Sequence, residues 1–490
     1  MSDSHLSRRN FIQSTAAGVA VTSAVARSLA APVKAADARL RIGFIGPGRR
    51  GFGSHVQSLV KLQKLGNPIE LAAVCDVYSV YRQRAADFIQ SETGTAPKTY
   101  IDYREMLADA KLDAVCIGTP DHWHARQTID ALAAGVHVYC EKPMTHTVEQ
   151  ASDVVRAWKQ SGLVMQVGVQ STSSPIWDRA REMIDSGKLG KVVQFQTEYS
   201  RNSRYGMSRH NEITAEMTPE TIDWRRWLGV DEELAPMMTF DRAIFGQWRC
   251  YWPFSAGMLG DLFLHRVTAM LKATGLRYPA RVVSGGGIFM EYDDRDVPDV
   301  STLIADFHEG VQGVVSSTMV SEERKIETVI RGHYGSLVFD KIANGPKAGF
   351  EFYPERPQVT QLRDMKSERV EAATTHTFDM AHLANFLDAI RSGDPKAVNN
   401  DPVLGAASVM IVNLAVQSYR EGKVFQIDRD GNVIDGNRDW AGGWERMSKA
   451  REKPRHVPGW TAGDTGSLFY PPEYQSLAGP WIDGKPPKQG

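Results

Sequence analysis

Cysteine is scarce: Cys75, Cys116, Cys140 and Cys250 are the only four in 490 residues. That is too few for a disulfide framework, and no close pair has the spacing of a structural zinc site. Three of them sit in apolar, strand-like runs, "LAAVC", "LDAVCIG" and "VHVYC", where a buried thiol behaves as a small apolar side chain. An excess of charge is also missing. The 57 Lys and Arg stand against 58 Asp and Glu, a net charge of −1, which leaves no electrostatic footprint for nucleic acid or an anionic membrane and points to a small-molecule partner. Outside the N-terminal segment no run approaches about 20 uninterrupted apolar residues, so no integral membrane span is expected. Internal repeats and long low-complexity segments are lacking as well. What is present is enough chain, 42% of it apolar, to bury a large core in two or three domains.

The first 36 residues stand apart. In "SRRNFIQSTAAGVAVTSAVARSLAAPVKAA" the pair Arg8-Arg9 precedes a weakly apolar run that ends in small residues near Ala35 and Ala36. The segment resembles a twin-arginine export signal, so residues 1–36 are set aside from fold reasoning and a periplasmic or otherwise exported location is expected.

From Arg39 to Val169, short β-rich runs alternate with helical patterns: "LRIGFIG", "IELAAVCD", "LDAVCIGTP", "VHVYCEKP" and "LVMQVGVQ". Such alternation predicts an α/β domain with a doubly wound parallel sheet, and strands apolar on both faces suit a sheet covered on both sides. After Gln170 the runs lengthen and alternate apolar with polar residues, as in "KVVQFQTEYS", "STLIADFHEG" and "VQGVVSSTMV". That pattern predicts an α+β domain over 170–427, built on an antiparallel sheet with one covered face. The Pro- and Gly-rich stretch 428–490 reads as an extended tail.

"GFIGPGRRGFG" carries Gly46, Gly48 and Gly51 in the G-x-G-x-x-G spacing, directly after the first strand and before a helical pattern. Glycines there allow a tight turn and close approach of a pyrophosphate to the backbone N–H groups of the helix start. Asp76 ends the second strand, roughly 25 residues beyond the last glycine, where about 20 is usual. Its carboxylate would accept from adenosine ribose hydroxyls and repel a 2′-phosphate, favouring NAD. Arg49, Arg50 and Arg82 leave NADP open.

A second set of motifs follows: Thr119-Pro120 with His124 in "CIGTPDHWHA", Glu141-Lys142-Pro143 in "CEKPMTH", and Asp261-x-x-x-His265 in "GDLFLH". With the glycine loop and the later "HLANFLDAIRSGDP" and "QSYREGK", the chain resembles the Gfo/Idh/MocA family from about Arg39 to Ile427. The resemblance implies a Rossmann domain followed by an open, mostly antiparallel sheet that walls the active site, and a homo-oligomer, dimer or tetramer. It implies that Lys142 lies beside the nicotinamide and that Asp261 and His265 face the reacting alcohol. It also implies an intact E-K-P more typical of oxidoreductases than of the family's NAD-dependent glycosidases.

The chemistry suits those residues independently. Oxidising a secondary alcohol requires removal of the hydroxyl proton as hydride leaves carbon, and a histidine can take that proton near neutral pH. Asp261 would orient the imidazole, stabilise its cation or bind a substrate hydroxyl; Lys142 would place positive charge beside the alkoxide. Gly46, Gly48, Arg49, Arg50, Gly51, Asp76, Thr119, Pro120, His124, Glu141 and Lys142 form the expected cofactor set. Tyr199, Arg201, Trp248 and Tyr251 are substrate candidates, with one or two of Trp224, Trp227, Trp248, Tyr251 and Trp252 expected against a sugar face. His122 and His124, two apart, do not share a helix face, and no metal site is expected. The functional expectation is an NAD(P)-dependent oxidoreductase of a sugar-like substrate with tightly bound, internally recycled cofactor. A redox-neutral glycosidase and a non-catalytic sugar sensor are the alternatives.

Overall fold

The computed structural model describes residues 39–203, 206–209, 213–340, 347–355, 364–374, 376–434 and 440–441. The export-signal expectation for 1–36 and nearly all of the expected tail lie outside them.

The first half forms a six-stranded, all-parallel sheet from β1 (Leu40–Ile45), β2 (Ile69–Cys75), β3 (Lys98–Tyr100), β4 (Ala114–Ile117), β5 (His137–Glu141) and β6 (Met165–Gly168), in the order β3-β2-β1-β4-β5-β6. The helices between are α1 (Gln57–Lys64), α2 (Ser79–Thr93), α3 (Tyr103–Asp109), α4 (Asp121–Ala133) and α5 (Val148–Ser161). Strands β4 and β6 are buried throughout, as expected of strands covered on both faces. The strand order reverses between β1 and β4, which opens a crevice at the carboxyl ends of those strands.

The second half forms a ten-stranded sheet from β7 (Val192–Glu198), β8 (Pro279–Gly287), β9 (Val300–Phe307), β10 (Gln312–Thr318), β11 (Thr328–Gly332), β12 (Gly335–Phe339), β13 (Lys347–Pro354), β14 (Glu368–Ala373), β15 (Phe425–Ile427) and β16 (Val433–Ile434). Every pairing is antiparallel except β7 with β10. Alternation along β10, buried at every second residue, reflects one face packed on helices and one left outward. The helices are α6 (Ile176–Asp185), α7 (Trp224–Leu228), α8 (Arg242–Gly246), α9 (Leu264–Thr274), α10 (Phe378–Ser392) and α11 (Pro402–Glu421).

The expected boundary at 169/170 is crossed by α10 and by α11. α10 places Leu383, Phe386, Leu387 and Ile390 in the same buried cluster as Leu40, Ile42, Val56 and Ile69 of the parallel sheet and its first helix. α11, capped by Asp401 with Pro402 in its first turn, is long and apolar enough to cross a membrane, but it is mostly buried against α5, α9 and β8. All four cysteines are buried and free, as the sequence implies. A third, aromatic cluster joins Tyr78 after β2 to Trp224, Trp227, Phe245 and Phe254. It fixes the segment 213–254 over the crevice, with Asp223 N donating to Val77 O at 3.1 Å.

Candidate active site

The crevice holds a cavity of about 410 Å³ lined by the glycine loop, Asp76, Val77, Tyr81, Thr119 and Pro120, and closed by Trp227, Trp248 and Arg249. Its fit to a dinucleotide can be judged from the loop. Gly46 has φ +73°, and a Cβ there would stand 2.6 Å from the Thr119 side chain; one on Gly51 would stand 2.5 Å from Gly46 O. Gly48 meets nothing nearer than the Tyr81 ring at 3.5 Å, so its backbone is bare on the cleft side, where a pyrophosphate approaches. Arg84 of α2 donates to Pro47 O and Gly48 O at 3.1 and 2.9 Å and holds the loop from behind. The residues present fit NAD.

Asp76 closes the adenosine end. Its Oδ1 accepts from Tyr78 N at 2.8 Å. Burial pushes the carboxyl up to about 7, against the opposing pull of the Tyr78 N–H, Arg82 and Arg84.

The first turn after the loop, Gly51–Val56, is π-helical, a distortion frequent at functional sites. It delivers His55, whose Nε2 lies 3.0 Å from Glu141 Oε1. Arg50 Nε donates to the same oxygen at 2.7 Å and Arg50 Nη2 to Asp379 Oδ1 of α10 at 2.8 Å. Glu141 is 3% exposed. Burial opposes its charge, yet Arg50 and His55 hold the carboxyl well below its ordinary value. Glu141 is therefore the fixed anion that ties the glycine loop to the end of β5. It touches Lys142 only through the backbone N–H, at 3.2 Å.

Lys142 points the other way, toward the second half of the chain. Its Nζ donates to Asp261 O at 2.7 Å and to Asp261 Oδ1 at 2.5 Å, and Arg249 Nε donates to that carboxylate at 3.3 Å. Against burial, Lys142, Arg249 and Arg201 hold Asp261 well below the carboxylate range. Asp261 sits in a second π turn, Leu259–Phe263, that leads into α9. Of the roles expected for Asp261, orienting the imidazole finds no hydrogen bond: among the described residues Asp261 engages Lys142 and Arg249, and none joins it to His265. His265 lies edge-on to Tyr199, ring centroids 5.9 Å apart. Burial, then the neighbouring Lys142, push its pKa well below the usual histidine value, so the imidazole is a neutral base at pH 7. A second cavity of about 340 Å³ opens at this point, lined by Lys142, Asp261, His265, Tyr199, Arg201 and Arg266. Arg50 and Arg249 line both cavities.

Other expectations are corrected. His124 does not line either cavity. It is 1% exposed and set between two loops, Nδ1 2.6 Å from Pro143 O and Nε2 2.8 Å from Thr119 O. His122 is packed on Trp227 and Phe254. Tyr251 lines neither cavity and belongs to the margin of the aromatic cluster. Trp224 and Trp227 stack at 4.7 Å as core, and none of the five aromatics lines the cavity at His265; Trp227 and Trp248 reach the nucleotide cavity instead. Tyr199 and Arg201 do lie at His265. Arg49, Gly46, Gly48, Asp76, Thr119 and Pro120 line the nucleotide cavity. Gly51 stands behind it, packed on Gly46.

Arg249, Arg266, His55 and Asp379 escape sequence reasoning. Arg249 lies inside "GQWRCYWPF", where the aromatics mask it. Arg266, directly after His265, was signalled only by adjacency.

Residues 40–169 match the family described as "Oxidoreductase family, NAD-binding Rossmann fold". A "Glycosyl hydrolase family 109 protein" of Shewanella baltica is 29% identical over 246 residues, 46% of this chain and 50% of that protein. An "Alpha-N-acetylgalactosaminidase" of Shewanella oneidensis is 30% identical over 181 residues, 36% of this chain and 38% of that one. The chain thus spans about half the length, or less, of these curated relatives. A levoglucosan dehydrogenase, solved with NADH and levoglucosan, shares the fold over 81% of this chain and 100% of its own, with a TM-score of 0.59 and 18% identity.

Proposed function

We propose, from the match of residues 40–169 to the NAD-binding fold of the Gfo/Idh/MocA oxidoreductase family, that the chain is a member of that family and acts with NAD on a secondary hydroxyl, or the matching carbonyl, of a sugar or sugar-like molecule. The observation that carries this is the junction of the two halves: Lys142, in the lining of the cavity at His265, grips Asp261 one helical turn before His265. Bound NAD supplies the hydride acceptor. The chain's own residues do the rest. His265, kept neutral, takes the hydroxyl proton during oxidation and returns it during reduction. Lys142 sets its ammonium where negative charge develops on the substrate oxygen. Asp261, itself held by Arg249, keeps that ammonium in place, and the Glu141–Arg50 pair holds the loop that carries it.

Lys142→Met and His265→Asn test these roles through sugar-dependent change in nicotinamide absorbance. Each should lower turnover by about 10²-fold or more while NADH still binds. Unchanged turnover in either variant removes that residue from its role.

A second reading is favoured by the names of the curated relatives. A redox-neutral glycosidase would oxidise a ring hydroxyl, lose the adjacent proton and the glycosidic bond by elimination, add water and be reduced again. The same lysine and histidine would serve. The intact Glu141-Lys142-Pro143 and the half-length match keep net oxidoreduction as the preferred reading. The proposal extends to location and assembly: the Arg8-Arg9 segment exports the folded protein with nucleotide already loaded and recycled in each turnover, and the protein works as a homo-oligomer.

A further inference from the structure

The cavity at His265 is unevenly charged. Five cationic side chains line it, Arg50, Lys142, Arg201, Arg249 and Arg266, against two carboxylates, Glu141 and Asp261. Three of the five are spoken for: Arg50 by Glu141 and Asp379, and Lys142 and Arg249 by Asp261. Arg201 and Arg266 are not. Their guanidinium carbons stand 5.0 and 4.6 Å from the centroid of the Tyr199 ring. Arg201 Nη2 donates to Tyr199 Oη at 2.8 Å and Arg266 Nε to Glu198 O at 2.8 Å. Among the described residues no carboxylate lies within ion-pair distance of either. Asp261 and Glu322 act on Arg201, and Glu198 on Arg266, only as charges beyond ion-pair distance, and the Glu198 carboxylate accepts from Ser200 Oγ at 3.2 Å.

Two guanidiniums gathered on one phenol, half-buried and with no carboxylate in ion-pair contact among the described residues, favour an anionic group beside them. Burial pushes Arg266 below the ordinary arginine value, whereas Arg201, against burial, is raised by Tyr199 and Asp261. The guanidinium donors not used in these bonds suit planar, bidentate recognition of a carboxylate or phosphate. His265 stacks edge-on to the same tyrosine, so an anion held there sits within one small molecule's reach of the base.

We propose that Arg201 and Arg266, braced on Tyr199, form an anion-recognition subsite, and that the substrate is a sugar bearing a carboxylate or phosphate group rather than a neutral sugar. This rests on the proposed redox role of the neighbouring Lys142 and His265. The subsite selects; it does not take part in proton transfer.

Calorimetric titration of the full-chain, NADH-loaded protein tests it, with glucuronate and galacturonate as carboxylate probes, glucose 6-phosphate as phosphate probe, and glucose and galactose as neutral parents. At least one anionic probe should bind about tenfold more tightly than its parent, which of the two kinds does so naming the group. The preference should shrink with added salt. Arg201→Met and Arg266→Met should each erase most of it, and Arg201→Lys or Arg266→Lys should keep part of it. The wild-type ratio and its salt dependence need no variant to fold. Neutral parents binding as tightly as the acids, failure of every anionic probe to bind, or a preference that survives both methionine substitutions would each overturn the proposal. Lack of nicotinamide reduction when the same acid is added to NAD-loaded protein would instead strike the redox role and leave the binding ratio standing.

Discussion

Asp76 lines the nucleotide cavity, and if its carboxyl meets the adenosine ribose as proposed, its protonation sets how firmly it binds. Burial raises it to about 7, so the neutral form is favoured in the fold below that pH. The sign follows: a carboxyl raised in the folded state stabilises the empty protein below the ordinary carboxylate value, and that stability is lost as pH rises through about 7. Ribose hydroxyls donate best to the ionised form, so NADH affinity should rise with pH. Between about pH 6 and pH 8 the gain should approach tenfold, followed by NADH fluorescence, and Asp76→Asn should be flat across that range. A wild-type affinity independent of pH would remove Asp76 from the ribose. At this scale much of the site is legible in the sequence. Gly46, Gly48, Asp76, Lys142 and His265 are fixed by local chemistry: a positive φ, a bare backbone, the end of a strand, a short tripeptide. What stays hidden is pairing at a distance. Arg50 reads as a phosphate ligand, yet its partners lie 91 and 329 residues away. Asp261 reads as the partner of His265, yet it serves Lys142, which lies 119 residues earlier.

At the scale of elements, two π turns and one stray helix matter. Strand and helix types follow from periodicity, and the alternating runs after Gln170 emerge as antiparallel strands, but neither π turn has a signature in spacing. Nor does the allegiance of α10. Its apolar face is plain in "HLANFLDAI", but a periodic face says only that something covers it. The structure gives it to the parallel sheet, beside Leu40 and Ile42, and Asp379 in its first turn ends the chain of pairs that begins at Glu141. Phe386, 1% exposed, is the test of that docking. Phe386→Ala should cost about 3–5 kcal/mol, measured by urea unfolding. It should weaken NADH binding as well, because α10 supports Arg50. A loss of stability with unchanged nucleotide affinity would mean that α10 packs on the sheet without bracing the loop.

At the scale of the whole molecule, the site exists only because the two sheets meet. The parallel sheet brings Lys142 and the nucleotide cavity; the helix leading from the π turn behind the larger sheet brings Asp261 and His265; Arg50 and Arg249 stand where the cavities join. Length, balanced charge and two kinds of strand pattern make this architecture legible, and the open, mostly antiparallel sheet agrees with it. The cover of the crevice by 213–254 is not legible, because tryptophans suit a core as well as a ligand, and Trp224 and Trp227 turn out to be core. Lys142, Asp261 and His265 as one redox site acting on a sugar is the central claim. The most direct measurement is nicotinamide absorbance during turnover of the purified, nucleotide-loaded protein against a panel of sugars, sugar acids and glycosides, with released sugar assayed in parallel. Net reduction of bound NAD by at least one sugar supplied without a carbonyl co-substrate, and without glycosidic cleavage, is the predicted result. Release of free sugar from a glycoside with no net change in absorbance, or no absorbance change with any compound, would contradict it.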